Sequence, residues 1–134
     1  MKYRKMPRVK EELSVLGFGC MRFPVLNNDM SQIDEEKSVP MLRFAIDQGI
    51  NYLDTAFPYH GKGTLEGGYS EPFVGKVLQN GYREKVMLAS KLPSWYITTR
   101  ADMDRFLNMQ LKRLCGEKSL KGLSSRSLAL DRFK

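Results

Sequence analysis

Three residues are of types that can together move a proton: Asp54, Tyr59 and Lys91. A carboxylate beside an ammonium makes an ion pair. An ammonium beside a phenol favours the phenolate and draws the phenol's pKa down from its usual value of about 10. A phenol tuned in this way can protonate the oxygen of a carbonyl as hydride arrives at the carbon. Each residue also has a plainer reading, since an aspartate before Thr55 is a common turn cap and a loop tyrosine often serves packing.

Placement lifts the three above those readings. Asp54 follows Ile50-Asn51-Tyr52-Leu53, and Lys91 follows Val86-Met87-Leu88-Ala89-Ser90, two compact apolar runs that predict strands. Both polar residues therefore stand at C-terminal strand ends, the edge at which α/β folds build their sites. Neighbouring strands lie about 5 Å apart, so side chains from two adjacent ends can meet. Tyr59 lies in the loop between, at the start of the glycine-rich stretch Pro58 to Gly68.

Two other candidates fail. His60 is the only histidine, which excludes metal sites built on histidine pairs and leaves it as a loop or substrate-contact residue. No metal site is expected. Gly61-Lys62-Gly63-Thr64 is similar to a phosphate loop, but Ala56 stands where the first glycine is required and no strand leads into it. No G-x-G-x-x-G opens the first helix, so a Rossmann assignment is also poor.

The elements that must hold these residues can be read along the chain. Lys2 to Met6 and Leu13 to Leu16 suit a small hairpin connected by Pro7 to Glu12. Val15 to Arg22 reads as a buried strand whose glycines, Gly17 and Gly19, admit a ligand or another backbone. A helix is expected from Asp34 to Gln48, stopped by Gly49, with Val39, Leu42, Ala45 and Ile46 facing a core. Pro40 leaves two starts open: Ser38 caps the helix, or the helix begins at Asp34 and bends.

Ser70 can cap a short helix through about Leu78, after which Asn80-Gly81 turns the chain. Thr99 and Asp102 form a capping-box pattern before a helix with Met103, Leu107, Leu111 and Leu114 on one face. Strand and helix thus alternate three times after a hairpin. That order predicts an α/β fold with a parallel sheet and right-handed crossovers, either an open doubly wound sheet or a closed barrel.

Composition narrows the function classes. With 134 residues, 42% hydrophobic and 28% charged, the chain reads as one globular domain rather than a disordered segment. No window approaches 18 consecutive apolar residues, and no apolar core follows the basic N-terminus, so neither a membrane span nor export is expected. Cys20 and Cys115 have no zinc or redox spacing, which suits a reduced, cytoplasmic protein. The net charge of +7 is spread along the chain, with no internal run longer than Lys112-Arg113, and this argues against a nucleic-acid partner.

Several segments, in order, resemble the first third of aldo-keto reductases. They are Leu16-Gly17-Phe18-Gly19-Cys20-Met21-Arg22, Ala45 through Ala56, Pro58-Tyr59-His60-Gly61, Tyr69-Ser70-Glu71, Val74 through Leu78 and Ser90-Lys91-Leu92-Pro93. The resemblance covers about residue 2 to Leu114. It implies a partial (β/α)8 TIM barrel: the N-terminal hairpin plus the first three strand-helix units. It also implies an oxidoreductase that reduces small aldehydes or ketones with NADP(H). Asp54, Tyr59 and Lys91 match three members of the family's Asp-Tyr-Lys-His tetrad, with Tyr59 as acid, Lys91 tuning it and Asp54 holding Lys91 near the cofactor ribose. Gly19, Cys20 and Met21 match the loop beside the nicotinamide. The Pro-Tyr-His-Gly variant is similar to the branch whose full members often carry a C-terminal iron–sulfur domain. The stretch Lys62 to Gly68 is longer than that branch's usual connection.

After Leu114 the resemblance stops, and residues 115–134 read as a divergent tail. The family continues into a fourth strand with the tetrad histidine near position 125, whereas Cys115 to Arg126 shows neither a buried-strand pattern nor a histidine, an abrupt change of the kind a frameshift or gene recombination produces. The expectation is three of eight strands, with the main cofactor-binding segments absent, open sheet edges that favour self-association, and no catalysis by this chain alone. A non-catalytic cofactor-binding or regulatory role is the alternative. A barrel of this type takes about 250 residues. The isolated chain should therefore show no cooperative melt above about 50 °C by circular dichroism, near the middle of the usual range for ordinary domains.

Overall fold

The structure is a computed structural model, and it describes residues 1–7, 11–63 and 65–115 together with the backbone at 129–130. Strand β1 (Tyr3–Lys5) pairs antiparallel with β2 (Glu12–Ser14), placing Tyr3 opposite Ser14. This is the expected hairpin, its second strand starting one residue early. Asn51 fastens it to the sheet, because its Oδ1 accepts from Ser14 N at 2.7 Å and its Nδ2 donates to Glu12 O at 2.8 Å. Asn51 precedes the second sheet strand, so the hairpin covers the N-terminal ends of the strands and leaves the opposite end to the site.

Four parallel strands form one sheet in the order β3 (Phe18–Gly19), β4 (Tyr52–Asp54), β5 (Met87–Ser90) and β6 (Ala129–Leu130). The register sets Gly19 beside Asp54, Asp54 beside Ala89 and Ala89 beside Ala129. The C-terminal tips are therefore level. With its helices this is an α/β, partial (β/α)8 barrel, open among the described residues. Residues 115–134 do contain a parallel strand, β6, and this corrects the expectation of three strands. Two residues are too few to show the alternation or apolar run by which a strand is read from sequence.

Helix α1 (Glu35–Asp47) settles the ambiguity at Pro40. Asp34 is the N-cap, accepting from Lys37 N at 3.2 Å, and Pro40 lies inside the helix. Ser38 is a buried helical residue and not the cap. Proline forgoes one backbone bond there, and the buried Leu42 and Ile46 compensate by packing on the sheet. Helix α2 (Ser70–Val77) corrects a second expectation, since Tyr69 holds the cap position without a side-chain bond and Ser70 is the first helical residue. The Ser70 hydroxyl has other partners, described below.

Helix α3 (Arg100–Cys115) opens on the expected box: Thr99 N donates to Asp102 Oδ2 at 2.9 Å and Asp102 N to Thr99 Oγ1 at 3.2 Å. Its buried face differs from the apolar one read from the sequence. Phe106, Gln110 and Leu114 are buried, while Met103 is exposed. The helix turns this face to α2 because Gln110 reaches a polar cluster beneath the sheet tips. The two helices cross at Gly75, where an added Cβ would lie 2.4 Å from Leu114 O. Gly75→Ala should force the helices apart at a cost of about 1–3 kcal/mol, read as a lower urea midpoint with an unchanged slope.

Candidate active site

Lys91 leaves the tip of β5 and turns its ammonium toward β4. Nζ lies 2.5 Å from Asp54 Oδ1, 3.0 Å from Thr55 O and 3.3 Å from Tyr59 OH. An ammonium has three donors, and here each faces an oxygen. Burial alone would pull the Lys91 pKa down, but the hydrogen bonds to Asp54 and Tyr59, with the Asp54 charge, outweigh it and raise the pKa above its ordinary value. Lys91 is therefore a fixed cation at neutral pH. The pair is about one third exposed, with Lys91 at 31% and Asp54 at 36%, so the group faces open space at the rim.

The loop carrying Tyr59 is held by its own backbone. Tyr59 N donates to Ala56 O at 3.2 Å, and Tyr59 O accepts from Ser70 N at 3.1 Å. Gly68 N donates to Phe57 O at 2.7 Å and Tyr69 N to His60 O at 3.1 Å. The long connection leaves and returns at one point. A Cβ on Gly61 would lie 2.9 Å from Gly68 Cα, and one on Gly68 would lie 1.9 Å from Tyr59 O. The pinch adjoins Tyr59, which lies beside Lys91.

His60 is 3% exposed and turned away from the rim. Its Nε2 accepts from Phe23 N at 3.0 Å, so Nδ1 carries the hydrogen and donates to Met30 O at 2.7 Å. Both ring nitrogens are engaged, and the expected substrate-contact role gives way to that of a neutral pin between two loops. Burial lowers its pKa against the opposing bond to Met30.

The residues expected near a nicotinamide divide in two. Gly19 is exposed, and a Cβ there would meet no atom within 4 Å. Met21 is 50% exposed. Cys20 is buried; its N donates to Asp54 O at 2.8 Å and its O accepts from Ser70 Oγ at 2.8 Å. Burial first, then the Asp54 charge, pushes its thiol up to about 12. Cys20 locks two strand tips together and has no free polar group for a ligand. The space above Gly19, level with Asp54, is open.

Four residues the sequence did not single out as site residues lie under the rim. Glu71 is fully buried; its Oε1 accepts from Ser90 Oγ at 2.6 Å and Gln110 Nε2 at 2.6 Å, and its Oε2 accepts from Arg113 Nε at 2.8 Å. The available signal was Gln110 and Arg113, two polar residues at helical spacing from the buried Phe106 and Leu114. Among the described residues no cluster suited to a metal occurs, and no helix is long and apolar enough to cross a membrane.

The model of the aldo/keto reductase family matches residues 15–121. The chain belongs to the aldo/keto reductase family. It is 34% identical over 114 residues to the Glycine max protein called probable aldo-keto reductase 1, a match covering 84% of this chain and 30% of the relative. The holo form of an aldo-keto reductase from Bacillus halodurans aligns with a TM-score of 0.64 at 30% identity, covering 85% of this chain and 36% of the other. An aldo-keto reductase from Klebsiella pneumoniae in complex with NADPH aligns with a TM-score of 0.58 at 28% identity, covering 77% of this chain and 32% of the other. The chain thus spans about a third of the length of these aldo-keto reductases.

In this member of the aldo/keto reductase family the buried His60 sets a pH dependence of stability. Its folded pKa lies below the ordinary 6.5, so the full stabilisation is present above about 6.5 and is lost as pH falls from there toward the folded value. With no other histidine in the chain, the urea midpoint should fall between about pH 7 and pH 5. His60→Gln should flatten that slope.

Proposed function

We propose that Asp54, Tyr59 and Lys91 form the proton-transfer part of an aldo-keto reductase site that reduces a small aldehyde or ketone with NADP(H). The observation that carries this reading is one ammonium within 2.5 Å of the Asp54 carboxylate and 3.3 Å of the Tyr59 hydroxyl. A nicotinamide cofactor, when bound, supplies hydride to the carbonyl carbon. Gly19 and Met21 would border its ring, and Asp54 would face its ribose. Tyr59 donates its proton to the carbonyl oxygen, giving the alcohol, and regains one from solvent. The Lys91 cation opposes the negative charge that develops on the phenol oxygen, and Asp54 keeps Lys91 in position.

In this reading the remaining barrel supplies both the other wall of the substrate site and the grip on the adenosine phosphate, so the 134-residue chain alone turns over no carbonyl. The match to an NADPH-bound aldo-keto reductase supports the cofactor class. The test joins this chain to the C-terminal part of a related barrel and follows NADPH consumption with a panel of small aldehydes. Trp95 fluorescence reports cofactor binding in parallel. Turnover is expected only from the joined protein, with a loss of about 10²–10⁴-fold in Tyr59→Phe. Equal rates with tyrosine and phenylalanine would overturn the reading, and cofactor binding without turnover would favour a non-catalytic role.

A further inference from the structure

Tyr59 and Lys91 sit on different elements, and the main chain ties their segments by one long bond, Phe57 N donating to Lys91 O at 3.3 Å. One buried side chain reaches toward both. On one side, Glu71 Oε1 accepts from Ser90 Oγ and from Gln110 Nε2, each at 2.6 Å. Gln110 Nε2 also lies 2.9 Å from Ser90 Oγ and 3.0 Å from the main-chain oxygen of Lys91. On the other side, Glu71 Oε2 accepts from Arg113 Nε at 2.8 Å. The Arg113 guanidinium then donates to Glu66 O at 2.8 Å and to Gly68 O. Gly68 is the residue packed on the Tyr59 carbonyl.

We propose that Glu71, acting through Gln110 on one oxygen and Arg113 on the other, is the positioning residue that sets the distance between the Lys91 ammonium and the Tyr59 hydroxyl. Glu71 touches neither group and is not a catalytic residue. The proposal rests on the reading of Asp54, Tyr59 and Lys91 as a proton-transfer site and adds the part that holds it in register.

Three observations favour this over a merely structural knot. The two branches leave different oxygens of one carboxylate and end on the two segments that carry Lys91 and Tyr59. The Gln110 amide oxygen is buried with no partner among the described residues, a penalty that an apolar residue facing the core would avoid. What the glutamine adds is an N–H on the Lys91 carbonyl. Arg113 also stacks its guanidinium 5.6 Å from the Phe57 ring centroid, so the loop is gripped by a rigid planar fork rather than by a flexible ammonium.

The test reads the Lys91 ammonium itself, by NMR titration of the 134-residue chain. Gln110→Met keeps volume and charge while removing the donor to Lys91 O, and Ser90→Ala removes one hydroxyl from the same branch. Each should weaken the Lys91 contacts with Asp54 and Tyr59, so that at fixed alkaline pH the ratio of neutral to charged Lys91 rises about threefold or more. Tyr82→Phe, which loses a remote bond to Asp47, should lower stability and leave that ratio unchanged. A folded Gln110→Met with an unaltered ratio overturns the proposal; if that variant does not fold, Ser90→Ala decides by the same reading. Should the ratio rise while the joined barrel never reduces a carbonyl, the positioning role stands and the proton-transfer reading falls.

Discussion

The site depends on one ammonium whose three hydrogens all have partners. Lys91 Nζ faces Asp54 Oδ1, Thr55 O and Tyr59 OH, which come from the tip of β4 and from the loop beyond it. A partly buried cation is costly unless opposed by charge and hydrogen bonds, and here Asp54 supplies the charge. The arrangement demands that the tips of β4 and β5 be level, which the parallel register provides by setting Asp54 beside Ala89. It also demands that Tyr59 come back toward the sheet from a long loop.

The start of α2 meets both demands. Ser70 donates its backbone N–H to the Tyr59 carbonyl and its hydroxyl to the Cys20 carbonyl, while the Thr55 hydroxyl sits 2.9 Å from Ser70 Oγ. Glu71, the next residue, reaches β5 and α3. Two consecutive residues thus tie three strand tips, a loop and a helix together with buried polar bonds. Buried polar groups of this kind stabilise a structure only when their partners are in place. A chain built this way has one good arrangement at the rim and poor alternatives.

Much of this was legible in the sequence because it rests on local chemistry. The apolar runs ending at Asp54 and Lys91, the Thr99–Asp102 box and the glycine stops are short-range signals, and the structure has the corresponding elements. The juxtaposition of Asp54, Tyr59 and Lys91 was readable because adjacent parallel strands have a fixed spacing. Other features were not readable. Gln110 and Arg113 look like ordinary surface residues of an amphipathic helix until α3 is docked, and Met103 looks like core. Cys20 belongs to a segment that resembles a cofactor loop, yet its side chain points inward. His60 reads as a loop or substrate-contact residue, yet its two nitrogens are bonded to Phe23 N and Met30 O. Each of these is decided by long-range packing. The strand β6 is too short to carry a pattern.

The pinch at Gly61 and Gly68 has a consequence for how such a site tolerates change. The chain exits and re-enters through touching glycines, and the described residues between them have main-chain anchors of their own, Glu66 O accepting from Arg113 and Gly63 O from the Tyr96 hydroxyl. Side chains can be exchanged there while these main-chain bonds persist, whereas loss of residues would disturb the Arg113 grip. New side-chain surface above the rim can thus be tried while the main-chain anchors stay in place. The two glycines of the pinch are the positions at which no side chain can be admitted.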